Sequence, residues 1–185
     1  MTIEIRKLTP DLADDFFDFF DYRAFSDRKG AFCYCTWFHF DCSIEEHYKY
    51  GKDAMRNQAA EYIASGKLNG YLAFIDGVSI GWCNADNKEN FRRIKTDPFI
   101  RGDNAEGIKS IVCFEISPEY RGKGVYQNLL NFIMSKLKAE GYVRLGVDFE
   151  SINPTAWGFW LKHFTAYTHS VVRRADEYAL KKGNL

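Results

Sequence analysis

The chain has 185 residues, of which 46% are hydrophobic and 27% are charged. That is enough apolar material to bury a core without disulfides or a structural metal, so we expect a single domain over residues 1–185. Lys plus Arg equals Asp plus Glu at 25 each. This charge balance argues against nucleic acid or an anionic membrane as a partner.

Neither a membrane span nor a secretory signal is visible in the sequence. No apolar run approaches the roughly 20 residues that cross a bilayer, and the N-terminus lacks the basic and then apolar order of a signal peptide. We therefore expect a soluble, cytoplasmic protein. Its five cysteines are an odd number, and Cys83 and Cys113 fall in predicted strands. Reduced thiols are expected, because a free cysteine inside a strand behaves as a small hydrophobic residue.

The first half of the chain alternates between strand and helix patterns. Period-2 alternation predicts a strand over Thr2–Leu8, and Pro10 then begins a helix with phenylalanines on one face and aspartates on the other. Phe25–Cys42 has no clean period and is predicted to be a long ordered loop. Ser43, with Glu46 three residues later, forms a capping box that begins a helix reaching about residue 65, either continuous or split in two.

The second half begins with a hairpin and contains the clearest helix. The remaining elements begin with a hairpin of Tyr71–Ile75 and Val78–Asn84 around Asp76-Gly77, an irregular crossover Asn87–Gly107 that allows a helical turn, and a buried strand Ile108–Ile116. They continue with an amphipathic helix that ends at Gly141, a strand Val143–Phe149, a short helix from Asn153-Pro154 to about His163, and strands Ala166–Arg173 and Glu177–Lys181. The order is mixed α/β without an internal repeat.

A glycine-rich loop joins the buried strand directly to the N-terminus of the clearest helix. The unpaired N–H groups of a first helical turn and the positive end of the helix dipole together form a site for an anion. Gly122 and Gly124 let the backbone approach phosphates closely. The loop is neither a Walker A motif nor a dinucleotide fingerprint, because the Gly-Lys-Ser/Thr and the third glycine are missing. A simple tight turn remains the alternative.

The segment Ser117-Pro118-Glu119-Tyr120-Arg121-Gly122-Lys123-Gly124-Val125 resembles motif A of the GNAT N-acetyltransferases, Arg/Gln-x-x-Gly-x-Gly/Ala. Asn153-x-x-Ala156-x-x-x-Trp160 is similar to the last motif of that family. The resemblance leaves out only the loop of residues 25–42 and the segment of residues 87–107. It implies an α/β (α+β) fold with a mixed, mostly antiparallel central sheet of six to seven strands flanked by helices.

The resemblance implies acetyl-CoA as co-substrate and no metal. The backbone of Ile116 would pair with the pantetheine arm, and Asn153 and Trp160 would line the other side of the cofactor. The main chain of Phe114 or Ile116 would donate to the thioester carbonyl. The amides that would hold the pyrophosphate are those of Arg121, Gly122, Lys123, Gly124, Val125 and Tyr126.

Two positions depart from the family pattern. Tyr126 occupies the last loop position, where the family prefers Gly or Ala, which affects packing over the phosphate. Trp160 stands where many members carry a tyrosine that protonates the CoA thiolate. An indole N–H does not titrate in water, so the acid is another group or solvent, or no acid is needed for a thiolate leaving group.

Glu115 is the candidate general base, because it is the only charged residue in the apolar run Ile111–Ile116. A buried carboxylate there would have a raised pKa and could accept a proton from the amine. The alternative is an ion pair with a Lys or Arg across the sheet. Ser110, at a position where some members hold a base, cannot do this unaided.

Tyr34, His39 and Trp82 are the candidate acceptor-binding residues. They belong to an aromatic set that either lines an acceptor pocket or completes the core. Cys33, Cys35 and Cys42 with His39 suggest zinc as an alternative, but they lack the paired C-x-x-C spacing of structural zinc sites, so no metal is predicted.

The predicted function is direct transfer of an acetyl group from acetyl-CoA to an amine that the sequence does not identify. The acceptor would be a small molecule or a peptide, and assembly as a homodimer is left open. The alternative is a catalytically weak CoA-binding regulatory module. A nucleotide-binding domain is disfavoured, because the loop comes late in the chain and no Ser or Thr metal ligand follows it.

Overall fold

A computed structural model of the chain describes residues 2–40, 44–96, 107–142, 144–147 and 154–165. The strands are β1 (Glu4–Lys7), β2 (Gly70–Ile75), β3 (Val78–Asn87), β4 (Ile108–Ile116) and β5 (Arg144–Val147). The helices are α1 (Ala13–Asp18), α2 (Ile44–Lys49), α3 (Gly51–Ala64), α4 (Arg92–Thr96), α5 (Val125–Ala139) and α6 (Pro154–Trp160). Short 3-10 turns lie at Pro10–Leu12, Trp37–His39, Lys88–Asn90 and Pro118–Tyr120.

The five strands form one sheet in the order β1-β2-β3-β4-β5. Each of the first three pairings is antiparallel and the β4–β5 pairing is parallel. This confirms the predicted mixed, mostly antiparallel sheet with flanking helices. The sheet has five strands in the part of the chain that the structure describes, against the six to seven predicted. The strands predicted at Ala166–Arg173 and Glu177–Lys181 lie outside that part.

The hairpin between β2 and β3 forms where Asp76-Gly77 predicted it. Asp76 has φ 50° and Gly77 has φ 77°, and positive φ at both central residues is typical of the two-residue turn that matches strand twist. β3 continues three residues beyond the predicted Asn84, to Asn87. β3 thus includes Asn87, the first residue of the segment predicted to be irregular, and that segment also contains the Lys88–Asn90 turn and α4.

Two predicted helices are interrupted in the structure. The helix predicted after Pro10 begins as the 3-10 turn Pro10–Leu12, continues as α1 and ends in a π turn at Phe19–Arg23. In the π turn the N–H of Ala24 donates to the carbonyl of Phe19 at 2.8 Å. The second predicted helix is two helices, α2 and α3. Gly51 at their junction has φ 72°, a left-handed value that a glycine adopts readily and that breaks the helical path.

The sheet separates two apolar cores. Phe16 of α1 packs edge-on against Trp82 of β3, with ring centroids 5.0 Å apart, in the core beneath α1 and α3. The opposite face is covered by α5, whose Leu129, Leu130 and Ile133 are fully buried against the sheet. Since both faces are covered, β2 is buried along its whole length.

A β-bulge in β4 changes which side chains face each core. Asn84 pairs with Cys113 and the next residue, Ala85, pairs with Ile111, which leaves Val112 as an extra residue. Val112 and Cys113 consequently face the same side of the sheet, away from α5. Bulges re-aim side chains next to functional sites, and this one lies in the middle of the strand that leads to the glycine loop.

Candidate functional site

The site begins where the described pairing of β4 with β5 ends. The parallel pairing with β5 runs from Ile108 opposite Arg144 to Ile111 opposite Val147. Within the described ranges, no strand pairs with residues 112–116 on that side. We refer to this side of residues 112–116, which faces away from β3, as the opening.

The backbone of β4 alternates between its partner and this opening. The N–H of Ser117 donates to the carbonyl of Ile80 on β3 at 2.9 Å. In an antiparallel pair only every second residue points its N–H and C=O at the neighbour. The backbone N–H and C=O of Glu115 therefore point at β3, and those of Phe114 and Ile116 point at the opening. These two residues are the ones whose main chain was predicted to meet the cofactor.

The glycine loop presents unpaired N–H groups at the start of α5. Gly122 has φ 73° and Gly124 has φ 79°, values that a residue with a Cβ rarely adopts. Gly124 is the N-cap of α5, no side chain caps this end, and the first turn contains no acidic residue. A helix N-terminus of this kind attracts an anion, because nothing else there satisfies the N–H groups or offsets the dipole.

Two of the six predicted amides are already in use. The N–H of Arg121 donates to the carbonyl of Pro118 at 3.3 Å, and the N–H of Lys123 donates to that of Tyr120 at 3.4 Å. For the amides of Gly122, Gly124, Val125 and Tyr126, the structure shows no acceptor among the residues it describes. These four amides are the ones that remain free to bind an anion.

The Arg121 side chain points away from the anion site and binds protein groups. Its Nε donates to the carbonyl of Ile116 at 3.0 Å, and its Nη1 donates to Asp27 Oδ2 at 2.5 Å. Its Nη2 donates to Glu115 Oε1 at 3.0 Å and to the carbonyl of Ala24 at 3.4 Å. Arg121 thereby links the glycine loop to β4 and to the segment after α1.

Glu115 lies between two arginines. Its carboxylate accepts from Arg121, as above, and from Arg28 Nη2 at 3.3 Å, and 17% of its side chain is exposed. Burial raises its pKa, the two guanidinium groups lower it, and the net effect is a pKa above the usual range. Of the two readings of Glu115 from sequence, the ion pair is visible in the geometry. The arginine partners come from outside the apolar run in which Glu115 was noticed.

An aromatic wall stands on the α5 face of β4. The ring of Phe114 stacks on Tyr126 with centroids 5.0 Å apart, and it meets Trp160 edge-on at 5.6 Å. Trp160 is 5% exposed and also packs against Phe159. Burial, followed by the negative charge of Glu115, raises the pKa of Tyr126 to about 12. Its phenol is neutral at physiological pH. Asn153, predicted beside Trp160, lies outside the described residues.

The three candidate acceptor residues are in the interior. Tyr34, His39 and Trp82 are 1%, 2% and 0% exposed. The Tyr34 hydroxyl donates to Asp21, and His39 lies against the rings of Tyr62 and Phe91. Of the two readings of this aromatic set, the structure shows core packing, because the apolar side chains of the loop are buried against α1 and β3. The geometry gives no support to direct contact with an acceptor.

Two further results concern metals and membranes. In the described part of the chain, no three His, Cys, Asp or Glu side chains are grouped so that they could hold a metal ion. Cys42, from the zinc alternative, lies outside that part. No helix within the described ranges combines the length and the apolar character needed to cross a bilayer.

Asp27 and Arg28 are site-proximal residues that the sequence did not single out. Both bind residues more than 80 positions away: Asp27 accepts from Arg121, and Arg28 donates to Glu115. No local pattern marks such partners. The one available signal was the unpaired Glu115 in an apolar strand, which requires a cation from somewhere in the fold.

Solved structures with the same fold cover nearly the whole chain. AAC(6')-Iy, an aminoglycoside N-acetyltransferase, in complex with the bisubstrate analogue CoA-S-monomethyl-acetylneamine, superposes with a TM-score of 0.62 at 14% identity, covering 95% of this chain and 99% of that one. The ribosomal-protein-alanine N-acetyltransferase of Brucella melitensis biovar Abortus 2308 gives 0.55 at 13% identity, covering 95% and 100%. PaiA N-acetyltransferase of Thermoplasma acidophilum, in complex with coenzyme A, gives 0.51 at 19% identity, covering 88% of each chain.

The sequence itself identifies the family. No curated protein matches the chain significantly. The acetyltransferase (GNAT) family profile, however, matches residues 14–164, a range that includes α1, the whole sheet from β2 onwards, the glycine loop and α6. The chain therefore belongs to the acetyltransferase (GNAT) family.

Proposed function

We propose that this protein transfers the acetyl group of acetyl-CoA directly to the amine of a small molecule or a peptide. The observation that carries the proposal is the set of four unpartnered amides at the start of α5, beside the opening along β4. Family membership supports the reaction class. The structures of neighbours with coenzyme A or a CoA conjugate support the identity of the donor.

The residues of the loop fit a pyrophosphate. A Cβ built on Gly122 would meet no atom within 4 Å, and one built on Gly124 would meet only Asn128 Nδ2 at 3.9 Å, so no protein atom crowds the loop at these two residues. Backbone N–H groups of Gly122, Gly124, Val125 and Tyr126 would hold the phosphates. When bound, acetyl-CoA supplies an acetyl thioester.

The main chain of β4 is proposed to act on the thioester carbonyl. The N–H groups of Phe114 and Ile116 are directed into the opening, and a fixed donor aimed at a developing oxyanion stabilises acyl transfer. In the reaction, the amine nitrogen forms a bond to the acetyl carbon, the carbon–sulfur bond breaks, and the amine loses a proton. No covalent intermediate on a side chain is required.

Glu115 is proposed as the acceptor of the amine proton. Its raised pKa brings the carboxylate closer to the value that suits a base near neutral pH. Arg28 and Arg121 would hold the carboxylate in place. Glu115→Gln should then lower kcat and remove the acidic limb of the pH profile of kcat/KM. Loss of thermal stability with an unchanged pH profile would leave Glu115 as a structural ion pair.

Isothermal titration of acetyl-CoA into Gly124→Glu tests the proposal. The substitution places a side chain and a negative charge at the N-cap of α5, and we expect the affinity to fall at least about tenfold. Gly141→Glu is the matched control, because Gly141 has φ 82° and an equally open surround at the other end of α5. Equal affinity in the two variants would show that the loop is only a turn.

A thiol-release assay separates the enzyme from the regulatory module. The wild-type protein, acetyl-CoA and a panel of amines, including aminoglycosides and peptides with a free N-terminus, are incubated and free CoA thiol is measured. Amine-dependent thiol release is expected. Binding of acetyl-CoA without thiol release for any amine would support the regulatory alternative instead.

A further inference from the structure

The fold brings together three cysteine thiols that the proposed reaction does not use. Cys33 and Cys35 lie in the loop before the Trp37–His39 turn, and Cys113 lies in β4 at the bulge. The N–H of Cys35 donates to Cys33 Sγ at 3.2 Å, and Cys113 packs against the buried cluster that contains Cys35. All three are free thiols, and the cluster reaches the surface through Cys33 and Cys113, which are partly exposed.

A buried amide donor contacts the sulfur of Cys35. Asn84 Nδ2 is 3.2 Å from Cys35 Sγ and 3.3 Å from its carbonyl oxygen, and Asn84 is fully buried. Asn84 and Cys113 are direct partners in the β3–β4 register. The buried amide of Asn84 thus contacts the Cys35 sulfur directly beside its strand partner Cys113, and this donor favours the thiolate at Cys35.

The three thiols differ in acidity. Burial alone would raise the pKa of Cys35, but its polar surroundings, which include Asn84 Nδ2 at 3.2 Å, lower it below the ordinary value. Burial and then the neighbouring Cys35 raise the pKa of Cys33 to about 12. The neighbouring Cys35 sulfur and burial raise the pKa of Cys113. Cys35 is therefore the most acidic of the three thiols.

The backbone around Cys35 is held in place mainly by side chains. Cys35 has φ 56°, a left-handed conformation that carries strain in a residue other than glycine and that recurs at functional sites. In the described part of the chain, the N–H groups of residues 32–35 donate to no backbone carbonyl. The segment can adjust to a new covalent bond without breaking a backbone ladder.

We propose that Cys35 and Cys113 form an oxidant-sensitive pair, in which Cys35 is the site of modification by hydrogen peroxide and Cys113 is the resolving thiol. The Cys35 thiolate attacks one peroxide oxygen, the O–O bond breaks, and the hydroxide that leaves becomes water. The sulfur of Cys113 then attacks the sulfenic sulfur of Cys35, the S–O bond breaks, and a second water leaves with the proton of Cys113. The two thiols supply the two electrons that reduce the peroxide.

The disulfide would join the loop to the strand that borders the acetyl-donor site. Cys113 directly precedes Phe114, whose main chain is directed into the opening along β4. This consequence rests on the proposed function, and we expect the affinity for acetyl-CoA to change on oxidation and to recover with a dithiol reductant. The covalent chemistry is independent of that function.

The test is a peroxide titration of the full chain, followed by alkylation of the remaining thiols in denaturant and peptide mapping by mass spectrometry. We expect a Cys35–Cys113 disulfide that dithiothreitol reverses, formed at least about tenfold faster than modification of Cys83. Cys83 is the internal reference, since it is fully buried in the same sheet and burial raises its pKa. The wild-type measurement does not depend on the folding of any variant.

Two variants identify the order of events. Cys113→Ser should leave a sulfenic acid on Cys35 that dimedone traps, and Cys83→Ser should leave the disulfide unchanged. The proposal is overturned if Cys35 remains alkylatable while other thiols are oxidised, or if the disulfide joins Cys33 to Cys35. Unchanged acetyl-CoA affinity in the cross-linked protein would overturn only the link to the donor site.

Discussion

At the scale of single residues, His39 shows what burial does to a titratable group. Neither ring nitrogen has a hydrogen-bond partner among the described residues, and the ring lies 5.4 Å from that of Phe91 and 5.7 Å from that of Tyr62. Burial, followed by the charge of Lys67, lowers the pKa of His39 to about 4. The folded protein therefore keeps this ring neutral at pH values where the unfolded chain protonates it.

The consequence is a loss of stability in acid. Because the folded pKa lies below the unfolded value of about 6.5, the unfolded state binds more protons between these values, and the free energy of unfolding falls as the pH falls from about 6.5 to about 4. Between pH 7.5 and pH 5.5 the loss from His39 alone is about 1 kcal/mol. Urea unfolding of the wild type and of His39→Phe at both pH values measures it.

His39→Phe retains an aromatic ring in an aromatic site and removes the titration. The difference in stability between the two pH values should shrink by about the same 1 kcal/mol in this variant. Burial also lowers the pKa of His47, but His47 is present in both proteins, so its contribution to the pH dependence cancels in the comparison. An equal pH dependence in the two proteins would mean that His39 is accessible to protons in the folded state.

At the scale of elements, α6 and β4 meet through Trp160 and Phe114, and this contact supports the strand that faces the opening. Truncating a buried tryptophan removes a large apolar surface and leaves a cavity, so Trp160→Ala should lower stability by about 3–5 kcal/mol. We also expect a higher KM for acetyl-CoA with a smaller change in kcat, because Trp160 forms part of the wall and carries no titrating proton.

Trp160→Tyr is the matched control for this contact. It retains a ring against Phe114, and we expect near-normal kcat and KM with a modest loss of stability. Thermal melting and steady-state kinetics on the three proteins check both expectations. A large fall in kcat at unchanged KM for acetyl-CoA in Trp160→Ala would instead assign Trp160 a role in the chemical step.

Local patterns predicted the elements themselves, because side-chain period, Asp76-Gly77 and the two loop glycines act within a few residues. The bulge at Val112 was not predictable, since an extra residue is visible only when the partner strand is known. The break at Gly51 was left open, because one glycine within a helical pattern is compatible with either a continuous or a divided helix. The bulge matters most, since it sets which side chains of β4 face away from α5.

At the scale of the whole molecule, Arg121 connects three parts of the chain. It binds Asp27 and Ala24 in the segment after α1, Glu115 in β4, and the carbonyl of Ile116 at the end of that strand. The sequence showed Arg121 as a loop residue and showed Glu115 as an isolated charge. It could not show Asp27, because partners 94 residues apart share no local pattern. The loop that presents the four amides is thus anchored from outside its own motif.

This anchoring predicts that Asp27, which is remote from the anion site in sequence, affects donor binding. Asp27→Asn removes the charge that Arg121 Nη1 binds at 2.5 Å, and the guanidinium then holds the glycine loop less firmly. Both side chains are more than a third exposed, so solvent screens the pair and we expect only about a two- to fivefold weaker affinity for acetyl-CoA, with little change in melting temperature.

Glu4→Gln is the control, since it breaks an exposed pair with Arg6 on β1, and its affinity should equal that of the wild type. In an Arg121→Lys background, Asp27→Asn should have a smaller effect, because the lysine cannot bind Asp27, Glu115 and the Ile116 carbonyl at once. If calorimetry gives additive losses for the two substitutions, Asp27 acts independently of Arg121 and the anchoring of the loop by the segment after α1 is disproved.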